Sequence, residues 1–227
     1  MIWIVFIGTM VLSLVAVAGV KSAYARFSRM PARSGLTGAQ AAGQILNAAG
    51  IHDVNIVAAD GLLGDHYDPI HKKLVLSEEI FNGRSVAALG ISAHECGHAI
   101  QQKIAYAPLQ WRMASVGATN FASQIVTWLP ILGLFTGLLS QYTGLLIMAI
   151  GWGVIMLFNL ITLPVEFDAS RRAKLILSKM GMIAEGEETR AVNKMLNAAA
   201  WTYVAAFITS LIYVLWFLLP LLSGRRD

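Results

Sequence analysis

The sequence predicts a mainly α-helical membrane protein, with four transmembrane helices and a small cytoplasmic portion of α+β structure that holds two or three short strands. Two observations predict this fold class. Of the 227 residues, 56% are hydrophobic and only 13% are charged, which is too apolar for a soluble globular domain of this size. In addition, Asp, Glu, Lys, Arg and His are absent from residues 1–20, 113–165 and 195–224, as expected for segments that cross a bilayer.

The uncharged segments divide into four spans, because roughly 20 apolar residues are needed to cross about 30 Å of hydrocarbon. Residues 1–20 form a transmembrane anchor, residues 113–165 are long enough for two antiparallel helices with a turn near residues 136–144, and residues 199–220 form the last span. A cleaved signal peptide is the alternative for residues 1–25. No basic residue precedes that apolar run, and this favours the anchor.

Lys and Arg orient these spans, since positive residues near span ends favour the cytoplasmic side. Nine lie in residues 21–112 and six in residues 166–194, whereas only Arg225 and Arg226 lie beyond the last span. We therefore expect a cytoplasmic segment at residues 21–112 and a cytoplasmic helical segment at residues 166–198. The net charge of +4 comes from basic residues that flank spans without interleaved aromatic residues, which indicates contact with membrane lipids and no nucleic-acid binding.

The polar segment before the second span carries helix and strand patterns. Thr37 and Gln40 have the spacing of a capping box, which opens a helix that ends at Gly50. Further along the chain, β-branched residues predict two strands, at residues 54–58 and 73–77. A helical pattern then predicts a second helix at residues 85–103. The single cysteine of the chain cannot form an internal disulfide.

The second of these helices contains the sequence His94-Glu95-Cys96-Gly97-His98, in which two histidines are four residues apart. At about 100° per residue their imidazoles lie on one face of the helix, so both can bind one metal ion while Glu95 reaches the water bound to it. The alternative is a polar helix face whose histidines form hydrogen bonds with loops. Cys96 lies about 200° around the helix from His94, which predicts that it packs in the core, and Gly97 predicts a close neighbour.

A hydrolytic zinc site needs three protein ligands and one open position for water. No histidine follows His98, so the third ligand is expected to be a carboxylate, and we favour Glu166 over Asp168. Both lie where the chain re-enters the cytoplasm after two crossings, which returns it to the side of the histidines. The alternative for Glu166 is an ion pair with Arg171 or Arg172.

Residues 65–69 form a second polar cluster. His66 and Asp68 are candidates to contact the metal ligands or the substrate, and Tyr67, His66 and the arginines at 171 and 172 are candidate donors to an oxyanion. A turn in which Asp68 caps its own backbone is an equal alternative. The two remaining histidines are expected at the surface: His52 and His71.

Three stretches together resemble the bacterial membrane-bound neutral zinc metallopeptidase family typified by YugP, over nearly the whole chain: Ser92-Ala93-His94-Glu95-Cys96-Gly97-His98-Ala99-Ile100-Gln101, Asp65-His66-Tyr67-Asp68-Pro69 and Pro164-Val165-Glu166-Phe167-Asp168-Ala169-Ser170. More distantly, the chain is similar to gluzincin membrane proteases of the HtpX type. The resemblance implies a zincin-like cytoplasmic portion in a multi-pass protein of the bacterial inner (plasma) membrane, with the active site on the cytoplasmic side. It implies one Zn²⁺ per chain, held by His94, His98 and Glu166, with Glu95 as the catalytic carboxylate.

One position departs from the distant group. Its glutamate ligand is commonly followed four residues later by Asp, whereas this chain has Ser170 there. Asp168 is the candidate that takes over the support of a ligand histidine.

These features predict a zinc-dependent endopeptidase that hydrolyses peptide bonds of membrane proteins or peptides at the membrane surface. Glu95 is expected to take a proton from the zinc-activated water as general base, while an extended substrate pairs with an edge strand at residues 73–77. One alternative is a catalytically idle zinc-binding membrane scaffold or chaperone. Another is a site-two-type intramembrane protease, but the apolar run at residues 86–93 is too short for a span. The sequence assigns neither an oligomeric state nor a partner protein.

Overall fold

The computed structural model describes residues 2–59, 64–136 and 140–223, and within them the chain is mainly helical with one small sheet. In chain order the helices and strands are α1 (Ile2–Phe27), α2 (Gly38–Ala48), β1 (Asn55–Ala59), β2 (His66–Asp68), β3 (Lys73–Ser77), α3 (Glu78–Asn82), α4 (Val86–Lys103), α5 (Ala107–Thr136), α6 (Gln141–Lys179) and α7 (Glu187–Leu222).

Among the described residues, three helices are long and apolar enough to cross a membrane: Trp3–Phe27 of α1, Gln141–Lys179 of α6 and Glu187–Leu222 of α7. The fourth predicted span, α5, has 30 residues but is less apolar, since Asn120 and Gln124 interrupt it. The predicted turn is also shorter than expected. Its residues 141–143 form the first turn of α6, which Ser140 caps by accepting a hydrogen bond from Thr143 N, while residues 137–139 lie outside the described residues.

The long helices pack side by side, with α1 against α7, α7 against α6, and α6 against α5. Two hydrogen bonds fix α6 and α7 in an antiparallel register. Asn159 Nδ2 donates to Ser210 Oγ at 3.1 Å, and Lys174 Nζ donates to Asn197 Oδ1 at 2.6 Å. The polar segment sits on this layer through α4, which packs against both α6 and α7.

The sheet has the order β1-β3-β2, in which β1 is parallel and β2 antiparallel to β3. The strand predicted at 73–77 is confirmed as β3, and β1 lies one residue later than the predicted 54–58. Because β3 has a neighbour on each side, residues 73–77 are not an edge strand. The prediction that an extended substrate pairs with an edge strand there is therefore wrong. The edges are β1 and the three-residue β2, which is too short for alternation to reveal it.

The caps of α2 and α4 follow the sequence signals. Thr37 Oγ1 accepts from Gln40 N at 3.1 Å while Thr37 N donates to Gln40 Oε1 at 2.9 Å, which completes the predicted capping box. Gly50 adopts a positive φ of 64° beyond the end of α2. Ser85 caps α4 by accepting from Ala88 N at 3.1 Å, so α4 begins where the pattern predicted.

The backbones of α4 and α6 approach each other closely at Gly97. A Cβ atom at this position would lie 2.9 Å from the carbonyl oxygen of Ala169 and 3.1 Å from its Cα, so only glycine fits without a shift. The close neighbour predicted for Gly97 is thus the backbone of α6. On the other side of α4, Cys96 is fully buried and its thiol faces the carbonyl oxygen of Ala42 at 3.7 Å, as predicted for a packing residue.

We expect Gly97→Ala to force α6 away from α4, because the new methyl group meets backbone rather than a flexible side chain. Overpacking of this kind costs about 1–3 kcal/mol. Gly153→Ala on α6 is the matched control, since nothing lies within 4 Å of its Cβ position. Thermal unfolding of both purified variants in detergent measures the difference, and equal melting temperatures would argue against the tight contact.

Candidate metal centre

Three side chains that are distant in sequence meet where α4 crosses α6. The Oε2 atom of Glu166 lies 3.2 Å from His94 Nε2 and 3.6 Å from His98 Nε2. The two imidazole rings are nearly perpendicular, with an interplanar angle of 83°. One ligand atom from each residue lies within 4.8 Å of the others, so the three can hold one metal ion.

The spacing of these atoms fits zinc. Zn–N and Zn–O bonds are about 2.0–2.2 Å, so two ligand atoms of a tetrahedral site are about 3.4 Å apart. The separations of 3.2 and 3.6 Å between Glu166 and the histidines bracket that distance. Burial lowers the pKa of His98, but the hydrogen bond and charge of Glu166 outweigh it and raise that pKa, which reflects a site that favours positive charge.

The second carboxylate oxygen of Glu166 has a different partner. Arg112 Nη1 donates to Oε1 at 2.9 Å, which leaves Oε2 to face the two histidines. The expected alternative, an ion pair with Arg171 or Arg172, is wrong because both arginines bond to Asp168 instead, at 2.6 and 2.5 Å. Asp168 itself lies outside the cluster of ligand atoms.

Gln101 determines which nitrogen of His98 faces the metal position. This side chain is fully buried, and its Nε2 donates to Val165 O at 2.8 Å and to Asp168 Oδ2 at 3.0 Å. Its Oε1 therefore faces His98 Nδ1, 3.0 Å away, and can only accept. His98 consequently carries its proton on Nδ1, so that the lone pair of Nε2 is free for a metal ion.

Ser170 makes the corresponding contact with the other histidine. Its hydroxyl lies 3.2 Å from His94 Nδ1, so the serine that departs from the distant group still touches a ligand histidine. Asp168, expected to support a histidine in its place, does so through Gln101 rather than directly.

Glu95 is held beside the same cluster by the sheet. The backbone N–H of Tyr67, on β2, donates to Glu95 Oε2 at 3.0 Å. Burial raises the pKa of Glu95, and the charges of His94, His98 and Glu166 all act on it, which indicates how close the four groups are. A buried carboxylate beside three groups that can hold a metal ion is placed where it can accept and donate a proton.

Comparison with known proteins agrees with this geometry. The profile of the protein family described as "Putative neutral zinc metallopeptidase" matches residues 2–222. The chain belongs to this family. It is also 42% identical over 213 residues to the "Putative membrane protease YugP" of Bacillus subtilis (strain 168), a match that covers 92% of this chain and 91% of that relative. No solved structure matches the chain.

Membership of the neutral zinc metallopeptidase family confirms the resemblance seen in the sequence and implies zinc as the metal. The donor set of two imidazoles and one carboxylate is among those that zinc hydrolases use.

The described side chains of the other predicted polar cluster bond mainly within their own loop or to α4. Asp68 accepts hydrogen bonds from Ile70 N and His71 N, as the turn alternative predicted, and its bonds from His71 lower its pKa to about 2. His66 is exposed, with Nδ1 2.7 Å from Gly64 O. The phenol of Tyr67 donates to Gln102, so it is engaged away from the metal ligands. Both histidines expected at the surface, His52 and His71, are exposed.

The sequence analysis assigned no role to three residues at this candidate metal centre: Gln101, Arg112 and Tyr203. Arg112 resembles any basic residue at the end of a span. Tyr203 lies inside an uncharged run, yet it lines a cavity of about 160 Å³ together with His94 and Glu95. The one signal that could have pointed to it is a polar residue inside a predicted span.

We expect Gln101→Leu to weaken zinc binding by about 10–100-fold, because His98 loses the acceptor that orients it. Gln102→Leu is the matched control, since that side chain bonds to Tyr67 and Pro69 and not to a metal ligand. Competition with a fluorescent zinc chelator measures both affinities. Equal zinc affinity of the Gln101→Leu variant and the wild type would show that Gln101 does not orient His98 for metal binding.

Proposed function

We propose that the protein is a membrane-embedded zinc-dependent endopeptidase that hydrolyses peptide bonds of membrane proteins or peptides at the membrane surface. The observation that carries this function is the position of Glu95. Its carboxylate is fixed by Tyr67 N–H at the edge of a cavity that His94 also lines, next to a three-residue donor set for zinc. That combination matches the requirements of metal-assisted hydrolysis.

Each residue has a role in the proposed reaction. Zinc, when bound by His94, His98 and Glu166, lowers the pKa of water towards about 7 and polarises the peptide carbonyl. Glu95 accepts a proton from the attacking water and then donates it to the leaving amine. Tyr203, whose side chain faces the same cavity, is a candidate donor to the developing oxyanion.

A zinc-binding scaffold is the runner-up, and two features argue against it. Structural zinc sites are closed by four protein ligands, whereas three donor groups form the cluster in the described part of this chain. A purely structural site also has no need of a buried carboxylate such as Glu95. A site-two-type intramembrane protease is disfavoured because α4, which carries both histidines, is not among the three candidate spans.

We propose that α5 is a fourth span. Arg112, near its first residue, bonds to Glu166 on α6, so α5 begins at the level of the metal ligands. The next helix, α6, starts at Gln141 and spans back to Glu166, and only four residues separate it from the end of α5. The chain therefore has to cross the membrane along α5. By the distribution of Lys and Arg, the metal ligands face the cytoplasm.

We expect Glu95→Gln to keep about one zinc per chain and to lose peptidase activity, because the amide preserves size but cannot accept the proton of water. Glu166→Ala is expected to lose both zinc and activity, since it removes a ligand. Glu185→Ala, at an exposed position, is the control for removal of a carboxylate. Metal analysis combined with cleavage of casein or peptides by the purified proteins measures both properties.

Two results would contradict the proposed reaction. Activity of Glu95→Gln equal to that of the wild type would exclude Glu95 as the base. A wild-type protein that binds zinc tightly but cleaves no peptide or membrane-protein substrate would favour the scaffold.

We expect a cysteine introduced at His52 to react with a membrane-impermeant maleimide only after the cytoplasmic face is opened, because residues 21–112 are proposed to be cytoplasmic. A cysteine at Ser140, at the opposite end of α6, is expected to react from outside intact cells. The native Cys96 does not interfere, since it is fully buried. Labelling of both positions from the same side would exclude the four-span topology.

A further inference from the structure

A groove of about 640 Å³ runs between α6 and α7 and shares Ser170 and Ala200 with the cavity beside Glu95. Its polar residues are at one end. Arg171 and Lys174 lie there, with Asn197 on the opposite helix, and no acidic side chain is among the described residues that line the groove. Arg171 shares the carboxylate of Asp168 with Arg172, whereas Lys174 bonds to the neutral amide of Asn197. The groove therefore carries excess positive charge.

The opposite end of the groove is apolar. It is lined by Phe167 on α6 and by Trp201 and Val204 on α7. Since Lys174 pairs with Asn197 and the helices are antiparallel, Phe167 and Val204 lie about 10 Å further along the helices, towards their membrane-spanning parts. The groove thus changes from cationic to apolar along the direction in which a bilayer changes from headgroup to hydrocarbon.

Trp201 marks the depth of the boundary between these two environments. Its side chain is 63% exposed, which is unfavourable in water for so large an apolar surface. Tryptophan is enriched at the level of lipid headgroups, where its ring meets hydrocarbon and its N–H meets water. By the same register Arg171 lies nearly level with Trp201, and Lys174 lies about one turn further towards the polar segment, so both cations are at or just beyond this boundary, where lipid phosphates lie.

A second groove continues the apolar surface. It lies between α1 and α7, has a volume of about 270 Å³, and shares Trp201 and Val204 with the first groove. Apart from these two residues it is lined by apolar side chains and one glycine, among them Leu12, Val15, Ala16, Gly19 and Ile208. Two apolar grooves thus lie on either side of Trp201, and both run from the cationic end towards the membrane-spanning parts of the helices.

We propose that the groove between α6 and α7 binds an anionic phospholipid, with the phosphate group against Arg171 and Lys174 and the acyl chains along the apolar grooves beside Trp201 and Val204. The shape and the charge of the groove favour this ligand over a peptide, because a peptide backbone would leave its N–H groups without partners on the apolar walls. The site also touches the metal centre. Ser170 lines the groove and lies 3.2 Å from His94 Nδ1.

Native mass spectrometry of the full-length protein in mild detergent tests this site. We expect the wild type to retain phosphatidylglycerol in preference to phosphatidylcholine with the same acyl chains. Lys174→Met is expected to weaken retention of phosphatidylglycerol about fivefold, the effect of one basic residue near an anionic headgroup. Lys179→Met is the matched control, because Lys179 is exposed on the same helix but does not line the groove.

A further variant separates charge from packing. Asn197→Leu removes the hydrogen bond to Lys174 but keeps the cation, so we expect it to retain the lipid as the wild type does. If Asn197→Leu and Lys174→Met lose the lipid equally, the effect is structural and the proposed contact is wrong. Thermal unfolding in detergent shows whether each variant is folded, and Lys174→Arg, which restores the charge, is expected to restore retention.

Three other outcomes would overturn the proposal. Equal losses in Lys174→Met and Lys179→Met would mean that anionic lipid binds the whole basic surface. Displacement of the lipid by inorganic phosphate, in the absence of vesicles, would mean that the groove recognises a free anion. If Lys174→Met alters the KM for a peptide but leaves lipid retention unchanged, the groove binds substrate and not lipid. Retention is measured without substrate, so it does not depend on peptidase activity.

Discussion

The contact of α4 with α6 at Gly97 is the constraint on which the metal centre depends. Two imidazoles on one helix can face a carboxylate on another only if the two backbones approach closely, and here a Cβ at Gly97 would lie 2.9 Å from Ala169 O. Glu166, three residues before that contact, thereby reaches both His94 and His98 with one oxygen atom. A larger residue at the crossing would separate ligands that no local change on either helix can bring back together.

The buried charges at this crossing are balanced in a definite arrangement. Glu166 is 2% exposed, and its two oxygens are divided between Arg112 and the histidines, so neither is left without a partner. Asp168, two residues further along α6, is bonded by two arginines and also accepts from Gln101. The two carboxylates of this segment therefore have separate functions, one facing the metal position and one holding the group that orients a ligand. Buried ionised groups are tolerable only with such partners.

The sequence predicted those features that local rules determine. The cap at Thr37, the start of α4 near Ser85, the two histidines on one helical face, and β3 follow from spacing and residue type. Glu166 was favoured as the third ligand because no histidine follows His98 and because the predicted crossings return the chain to the side of the histidines. Gln101 and Arg112 were missed because their roles depend on which helix crosses α4 more than 50 residues further along the chain. The central position of β3 was missed for the same reason, since it depends on pairing with the three-residue β2.

Glu166 lies within an unbroken helix, α6, that continues from Gln141 to Lys179. The histidines are on α4, which is not one of the candidate spans. A bilayer whose hydrocarbon thickness differs from the length of the span causes a transmembrane helix to tilt. Because α4 contacts α6 at Ala169, three residues beyond Glu166, the three donor groups lie close to the point about which such a tilt turns, and they move little relative to one another. The close crossing therefore insulates a centre assembled from two helices against changes in the thickness of the surrounding bilayer.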